Sequence, residues 1–167
     1  VFILQIYCIF IKLDNNSLNY YMEINNTFFP EKLYSCWHPV GYSDEIKMDS
    51  PFGTFLLDEA IVIWHTSDGK VHAMKDLCIH RGTALSLGWL KDDCIVCPYH
   101  AWRYDRNGEC VLIPQAPNAK IPSKAKTPKY NCMEQFGIVW VAINEPVYNL
   151  PNIQEFDDKK WQSILKN

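Results

Sequence analysis

Residues 78 to 100 read CIHRGTALSLGWLKDDCIVCPYH, and a short Cys–His pair lies at each end of this stretch. One residue separates Cys78 from His80, whereas two separate Cys97 from His100. Each pair can direct one thiolate and one imidazole towards the same small volume. Thiolates are soft anionic ligands and imidazole is a neutral, borderline one, so such a set selects zinc or an iron–sulfur cluster over magnesium or calcium. The stretch therefore predicts a metal centre built from two loops.

The distribution of the ligands bears on which metal is bound. Structural zinc sites usually take one close pair of Cys and a second close pair of His. Here each loop offers one of each, which suits a two-iron cluster with both thiolates on one iron and both imidazoles on the other, the Rieske type. Two ferric ions, two sulfides, two thiolates and two neutral imidazoles sum to zero charge, so such a cluster accepts an electron more readily than an all-thiolate one. Zinc remains the alternative.

The wider motif is C-x-H-R-G and then C-P-Y-H-x-W, with sixteen residues between the first His and the second Cys. It resembles the N-terminal Rieske domain of the α-subunits of Rieske non-heme iron oxygenases, the aromatic ring-hydroxylating family. The resemblance extends from about residue 37 to residue 146. It implies an all-β fold of stacked antiparallel sheets with two cluster-binding loops, and a [2Fe-2S] cluster. The implied ligands are Cys78, His80, Cys97 and His100.

Several residues beside the ligands are expected to tune a cluster through burial and hydrogen bonds. Gly82 and Gly88 are expected to allow close approach of the backbone, and Pro98 to stiffen the second loop. Many family members have Gly where this chain has Ala101. If that position needs a positive φ, Ala101 strains the second loop.

Two aromatic residues and one arginine complete this set. Tyr99 and Trp102 are expected to wall the cluster, as the corresponding aromatics do in the family, or else simply to pack in the core. Arg81 is expected to hydrogen-bond or balance charge near the cluster, or to be an ordinary surface arginine.

The composition limits the class of protein. A chain of 167 residues suits one domain with a substantial core, and 14% aromatic residues suit an all-β core. The net charge is −3 and there is no dense basic stripe, so we expect no nucleic-acid partner. The apolar run over residues 1–13 is shorter than the roughly 20 residues that span a bilayer, so we expect no membrane partner.

The cysteines indicate the redox compartment. Seven are present, and the five outside the ligand set show no disulfide-framework spacing, which predicts reduced core thiols and a cytoplasmic protein. Respiratory Rieske proteins carry a disulfide between the two loops, but Thr83 and Tyr99 occupy those places here. This departure favours the oxygenase or the soluble ferredoxin branch.

The domain organisation is predicted in three parts. Residues 1–21 are expected to be a non-native or disordered extension, because the first Met is Met22. Residues 22–146 form the Rieske domain. Residues 147–167 resemble the linker towards a catalytic domain.

Apolar runs alternate with turn signals from residue 34 onwards, which predicts strands. These are Tyr34–Tyr42, Gly53–Leu57, Ala60–Thr66, Lys70–Lys75, Cys94–Cys97, Ala101–Tyr104, Glu109–Ile113 and Gly137–Ile143. Asp68-Gly69 predicts a two-residue hairpin loop, and the stretch from Asp105 to Gly108 predicts a second tight turn. Four prolines in residues 114–130 predict an extended loop.

Other polar residues have two interpretations. A two-residue turn would place His65 opposite His72, where they could bind a metal or be half-exposed strand residues. His38 is expected to be structural. The basic segment of Lys120, Lys124, Lys126 and Lys129 could dock an acidic redox partner or simply be solvated.

The family resemblance implies an electron relay. In the family this domain takes single electrons from an NAD(P)H-dependent reductase or ferredoxin and passes them to a mononuclear Fe(II) in a separate C-terminal domain. That domain acts on aromatic or related small molecules, by mono- or dioxygenation or demethylation, in a trimer-like homo-oligomer. The alternatives are a free-standing Rieske ferredoxin and a zinc-stabilised β binding module.

Overall fold

The computed structural model describes residues 29–153, whose regular secondary structure is almost entirely antiparallel β-sheet, as predicted. Within this range the strands are β1 His38–Tyr42, β2 Phe52–Leu56, β3 Glu59–His65, β4 Val71–Lys75, β5 Trp89–Lys91, β6 Cys94–Val96, β7 Arg103–Tyr104, β8 Cys110–Leu112, β9 Lys129–Gln135 and β10 Ile138–Ala142. Two 3-10 helices, Glu31–Ser35 and Leu85–Leu87, complete it. No helix in this range is long and apolar enough to cross a membrane. The predicted extension, residues 1–21, and most of the predicted linker lie outside the described residues.

Two sheets carry the strands. The larger has the order β1-β10-β9-β4-β3-β2, and the smaller has the order β5-β6-β7-β8. The first cluster loop lies between β4 of the larger sheet and β5 of the smaller sheet, and the second joins β6 to β7 within the smaller sheet. The metal-site motif is therefore held between the two sheets.

Strand β3 is buried on both faces, which explains its uninterrupted apolar run. Val62 and Trp64 point into a core that also contains Cys78 and Cys97. Their neighbours Ile61 and Ile63 point from the opposite face of β3 into a second core. This second core contains no predicted cluster ligand. A side chain alternates faces at every residue along a strand, so one apolar segment serves two cores.

The hairpin between β3 and β4 has three loop residues rather than the predicted two. Thr66 N–H donates to the Lys70 carbonyl, and Gly69, with φ +76°, supplies the left-handed residue that closes a type I turn. The extra residue shifts the register, so Trp64 pairs with His72 and His65 pairs with Val71. The prediction that the two histidines face each other is therefore wrong.

The histidines instead have separate partners. His65 Nε2 lies 3.5 Å from Glu134 Oε2, and His72 Nε2 lies 3.1 Å from Thr66 Oγ1. His38 is buried, and its Nε2 atom lies 2.7 Å from the Leu33 carbonyl oxygen, which agrees with a structural role.

Three strand predictions need correction. The predicted strand Tyr34–Tyr42 begins only at His38, because the 3-10 helix Glu31–Ser35 starts directly after Pro30. Strands β5 and β9 are additional; β5 has three residues, and the mixed polar sequence of β9 follows a proline. The loop predicted over residues 114–130 therefore ends at Pro128. The predicted turn before Gly108 is present, with φ +75° at that glycine.

Candidate metal centre

The two predicted ligand loops have the same backbone pattern. In the first, Cys78 N–H donates to the Thr83 carbonyl and Gly82 N–H donates to the Cys78 carbonyl. In the second, Cys97 N–H donates to the carbonyl of residue 102, and N–H of residue 101 donates back to the Cys97 carbonyl. Each loop is thus a closed six-residue turn that begins at a cysteine.

Both turns require a left-handed residue at their fifth position. Gly82 has φ +72° and Ala101 has φ +57°, so the alanine adopts the conformation that L-residues disfavour. The strain expected at Ala101 is therefore present. Gly82 is needed for its backbone angle rather than for close approach, because only Leu77, at 3.9 Å, would touch an added Cβ. At Gly88 close approach is the requirement, since a Cβ would lie 2.0 Å from the Val96 carbonyl oxygen.

The two predicted thiol ligands lie side by side in the first core. Cys78 is 2% exposed and Cys97 is 1% exposed, and both belong to the same core cluster. The hydroxyl oxygen of Tyr104 lies 3.2 Å from Cys78 Sγ. Burial raises the pKa of Cys97, and the N–H group of Tyr99 opposes this shift. Burial also raises the pKa of Tyr104, so its hydroxyl keeps its proton and can donate to a thiolate.

The two predicted imidazole ligands form a second pair nearer the surface. The ring centroids of His80 and His100 are 4.6 Å apart. Trp102 stacks on His80 at 4.5 Å with an interplanar angle of 3°, and the Tyr99 ring lies 3.9 Å from His100. Burial, His100 and the nearby Arg81 lower the pKa of His80, which favours the neutral form that binds metals. Each imidazole therefore has an aromatic neighbour.

A carboxylate braces the first loop. Asp76 accepts hydrogen bonds from the N–H of Ser86 at 2.7 Å and from its hydroxyl at 2.5 Å. This pair ties the end of β4 to the 3-10 helix Leu85–Leu87, and a Cβ at Gly53 would lie 2.7 Å from Ser86. The second loop has a tie of its own, since the Gln115 amide donates to the His100 carbonyl. Both loops are thus anchored from outside the motif.

The donor set fits a two-iron cluster. The two thiols lie in the same buried core, and the two imidazoles contact each other nearer the surface, so two irons can take one pair each. Within residues 29–153 no three His, Cys, Asp or Glu side chains converge on a single metal ion. The indole N–H of Trp102 is buried and has no hydrogen-bond partner in this range, as expected for a donor beside an acceptor that the polypeptide does not supply.

The remaining predicted neighbours lie on the surface of the loops. Arg81 and Pro98 are exposed, and Tyr99 is 63% exposed although its ring contacts His100. The imidazole end of the site is therefore accessible, whereas the thiol end is closed. Because of this difference in accessibility, an electron can reach the site more readily from the histidine side.

Comparison with known families identifies the domain. Residues 36–131 match the Rieske [2Fe-2S] domain family, which is more than half of the chain. The chain therefore belongs to the Rieske [2Fe-2S] family, and a [2Fe-2S] cluster is its cofactor.

Several of the related proteins are named as demethylases or oxygenases. The chain is 39% identical over 143 residues to methylxanthine N1-demethylase NdmA of Pseudomonas putida, covering 81% of this chain and 40% of the relative. It is 35% identical to aminopyrrolnitrin oxygenase PrnD of Pseudomonas fluorescens, with 75% and 36% covered. The solved structure of NdmA matches with a TM-score of 0.72 at 36% identity, covering 77% of this chain and 41% of that one. The chain thus spans about two-fifths of the length of these relatives.

Two residues that contact or brace the ligand loops, Tyr104 and Asp76, lie outside the sequence motif. The sequence predicts Tyr104 only as the end of a strand, and no motif points to Asp76. Tyr104 is 26 residues from Cys78 in sequence, and only the pairing of the smaller sheet brings them together. The run of aromatic residues after the second loop was the one available signal for Tyr104.

Proposed function

We propose that this chain relays single electrons through a [2Fe-2S] cluster held by Cys78 and Cys97 on one iron and by His80 and His100 on the other. The observation that carries the proposal is the separation of a buried thiol pair from an accessible imidazole pair across two matching loops. A bound cluster of this type accepts and donates one electron at a time. The whole domain is proposed to correspond to residues 22–146.

The residues of the chain have distinct tasks in this proposal. Tyr104 donates a hydrogen bond to the Cys78 sulfur and so favours the state with more negative charge. Trp102 holds the plane of His80 by stacking, and the buried core keeps water from the thiolates. The two imidazoles, which are partly exposed, form the side through which electrons enter and leave.

The relay is proposed to serve an oxygenase. Support comes from relatives named as a demethylase and as an oxygenase, of which this chain covers only 40% and 36%. The mononuclear Fe(II), the small-molecule substrate and the homo-oligomer, trimer-like in form, would belong to the part beyond this chain. The electron donor would be an NAD(P)H-dependent reductase or ferredoxin. A reducing, cytoplasmic location is supported by the free cysteines of residues 29–153.

The ligand set is tested by serine substitution. Cys78→Ser and Cys97→Ser are each expected to abolish the visible absorbance of the cluster and the binding of two irons and two sulfides. Cys36→Ser, at a thiol outside the loops, is the matched control and should keep the cluster. A colourless wild-type protein that contains stoichiometric zinc would overturn the assignment.

The relay itself is tested with NADH, a reductase, O₂ and candidate methylxanthine or aromatic substrates. The 167-residue chain is expected to be reduced and reoxidised without product. A reading frame that extends past Asn167 is expected to couple reduction to product formation. Coupled product formation by the 167-residue chain alone would contradict the proposal that this chain only relays electrons. A chain that is reduced but has no longer reading frame would support the free-standing ferredoxin instead.

A further inference from the structure

Trp102 has a buried indole N–H for which the polypeptide of residues 29–153 supplies no acceptor. Two other indole N–H groups, those of Trp64 and Trp140, donate to backbone carbonyl oxygens at 3.2 Å and 3.1 Å. A buried donor without an acceptor destabilises a protein, so native structures rarely leave one unpaired. The acceptor for Trp102 is therefore a group that this part of the chain does not contain.

Trp102 also joins the two ligand loops. Its carbonyl accepts the hydrogen bond from Cys97 N–H that closes the second loop. Its ring stacks on His80 of the first loop, with the ring centroids 4.5 Å apart. The same ring packs against the core that contains Cys78 and Cys97. The indole therefore contacts both the imidazole end and the thiol end of the site.

The stacking geometry excludes the nearest aromatic acceptor. An indole N–H lies in the plane of its own ring, and the planes of Trp102 and His80 differ by only 3°. The N–H consequently cannot point at the face of the His80 ring, as an N–H···π contact would require. It runs parallel to the imidazole and needs a separate acceptor beside that ring.

The burial of the indole nitrogen limits where this acceptor comes from. His80 and His100 are partly exposed, but the Nε1 atom of Trp102 is not, so a docked partner protein does not reach it. In a two-iron cluster held by these loops, the two sulfides bridge the irons. Of the anionic sulfur atoms, they are the closest to the imidazole ligands. Hydrogen bonds to such sulfurs are one of the means by which a protein sets the reduction potential.

We propose that the indole N–H of Trp102 donates a hydrogen bond to a bridging sulfide of the [2Fe-2S] cluster. This inference rests on the proposed function and adds a residue that sets the reduction potential. The bond is stronger in the reduced cluster, because its sulfides then carry more negative charge. Trp102 therefore stabilises the reduced state from the imidazole end, whereas Tyr104 does so from the thiol end.

An isostere of tryptophan isolates the N–H group. Site-specific incorporation of 3-benzothienylalanine in place of Trp102 keeps a bicyclic ring for stacking but replaces the N–H by sulfur. The equilibrium constant for one-electron reduction is expected to fall about threefold, which makes the potential about 28 mV more negative at about 59 mV per tenfold change. The same isostere in place of Trp140, whose N–H donates to the Gln135 carbonyl in the larger sheet, is the matched control and should leave the potential unchanged.

Pulsed EPR of the reduced wild-type protein detects the bond without altering the loops. Tryptophan labelled with ¹⁵N at the indole nitrogen should give a weak hyperfine coupling to the cluster. Trp102→Phe, which keeps an aromatic ring beside His80, should lose this coupling. Trp89→Phe, at a ring that is 46% exposed, should retain it.

The outcomes separate this inference from the proposed function. A loaded wild-type protein without the ¹⁵N coupling, or with a coupling that persists in Trp102→Phe, would overturn the hydrogen bond and leave the cluster assignment intact. An equal shift of potential from the isostere at Trp140 would also overturn it, since the shift would then be a general effect of the isostere. A wild-type protein that binds no iron and sulfide would instead refute the proposed function.

Discussion

The hydroxyl oxygen of Tyr104 lies 3.2 Å from Cys78 Sγ, within the core that encloses both predicted thiol ligands. A donor at this position favours the reduced cluster, which carries one more negative charge than the oxidised cluster. The contact links β7 to the first loop, so it depends on the correct pairing of the smaller sheet.

Tyr104→Phe is therefore expected to make the reduction potential more negative. The shift equals the difference in the strength of this hydrogen bond between the reduced and the oxidised cluster, and a difference of about 1.4 kcal/mol corresponds to about 59 mV for one electron. Potentiometric titration of the visible spectrum measures the shift. Tyr148→Phe, at an exposed position, is the control and should leave the potential unchanged. Equal potentials for all three proteins would show that the hydroxyl does not act on the cluster.

The left-handed residues of the two loops give a reciprocal prediction. Ala101→Gly should stabilise the protein by about 0.5 kcal/mol, because relief of the φ +57° strain exceeds the added freedom of the unfolded chain. Gly82→Ala should destabilise it by about 1 kcal/mol, since strain is added without a steric clash. Urea midpoints measure both changes.

Gly69→Ala is the control for these loop variants. Its φ of +76° lies in the hairpin between β3 and β4, and an added Cβ there meets no neighbour. Gly69→Ala should lower the urea midpoint as Gly82→Ala does. Only Gly82→Ala, whose changed residue lies in a cluster loop, should also release the cluster faster than the wild-type protein. If both glycine variants release the cluster equally fast, the rate reports global stability and not the geometry of the loop.

Removal of the cluster is expected to loosen only part of the protein. The first core contains the predicted ligands Cys78 and Cys97. The second core, which packs on the larger sheet, contains none of the predicted ligands. Amide hydrogen exchange in residues 78–83 and 97–102 should accelerate about 100-fold in the iron-free protein. Exchange in β10 should change little. Uniform acceleration across both regions would show that the two cores unfold together.

His38 is expected to make stability depend on pH. Burial lowers its pKa below the ordinary value of about 6.5, although its bond to the Leu33 carbonyl opposes the shift. The unfolded chain therefore takes up the proton first, and stability falls as the pH decreases through about 6.5 towards the folded pKa. His38→Gln keeps an N–H donor but cannot titrate.

Urea midpoints at pH 7.5 and pH 6.0 test this prediction. The wild-type protein should lose more stability between the two values than His38→Gln. The urea midpoint of His38→Gln should still change with pH because burial also lowers the pKa of His72. The midpoint of the His38→Gln/His72→Gln double variant should therefore change less with pH than that of His38→Gln. An identical slope in the wild-type and His38→Gln proteins would contradict the role of His38.

Much of the fold was predictable because its signals are local. The apolar run of β3 and the glycines at positions 69 and 108 indicated strands and turns at nearly the observed positions. Strand β9 was missed because its polar residues give no clear alternation, and it is stabilised by pairing with β10 and β4. The opposition of His65 and His72 failed because one additional loop residue reverses which face a side chain occupies.

The sequence by itself determined the chemistry of the metal centre, since a thiolate and an imidazole one or two residues apart in each of two short segments specify the donor types. It also indicated the strain at Ala101. Only the tertiary structure decided that Tyr104 contacts Cys78 and that Asp76 braces Ser86. These relationships join residues that are distant along the chain, and their distances depend on strand order and register, which local sequence patterns do not specify.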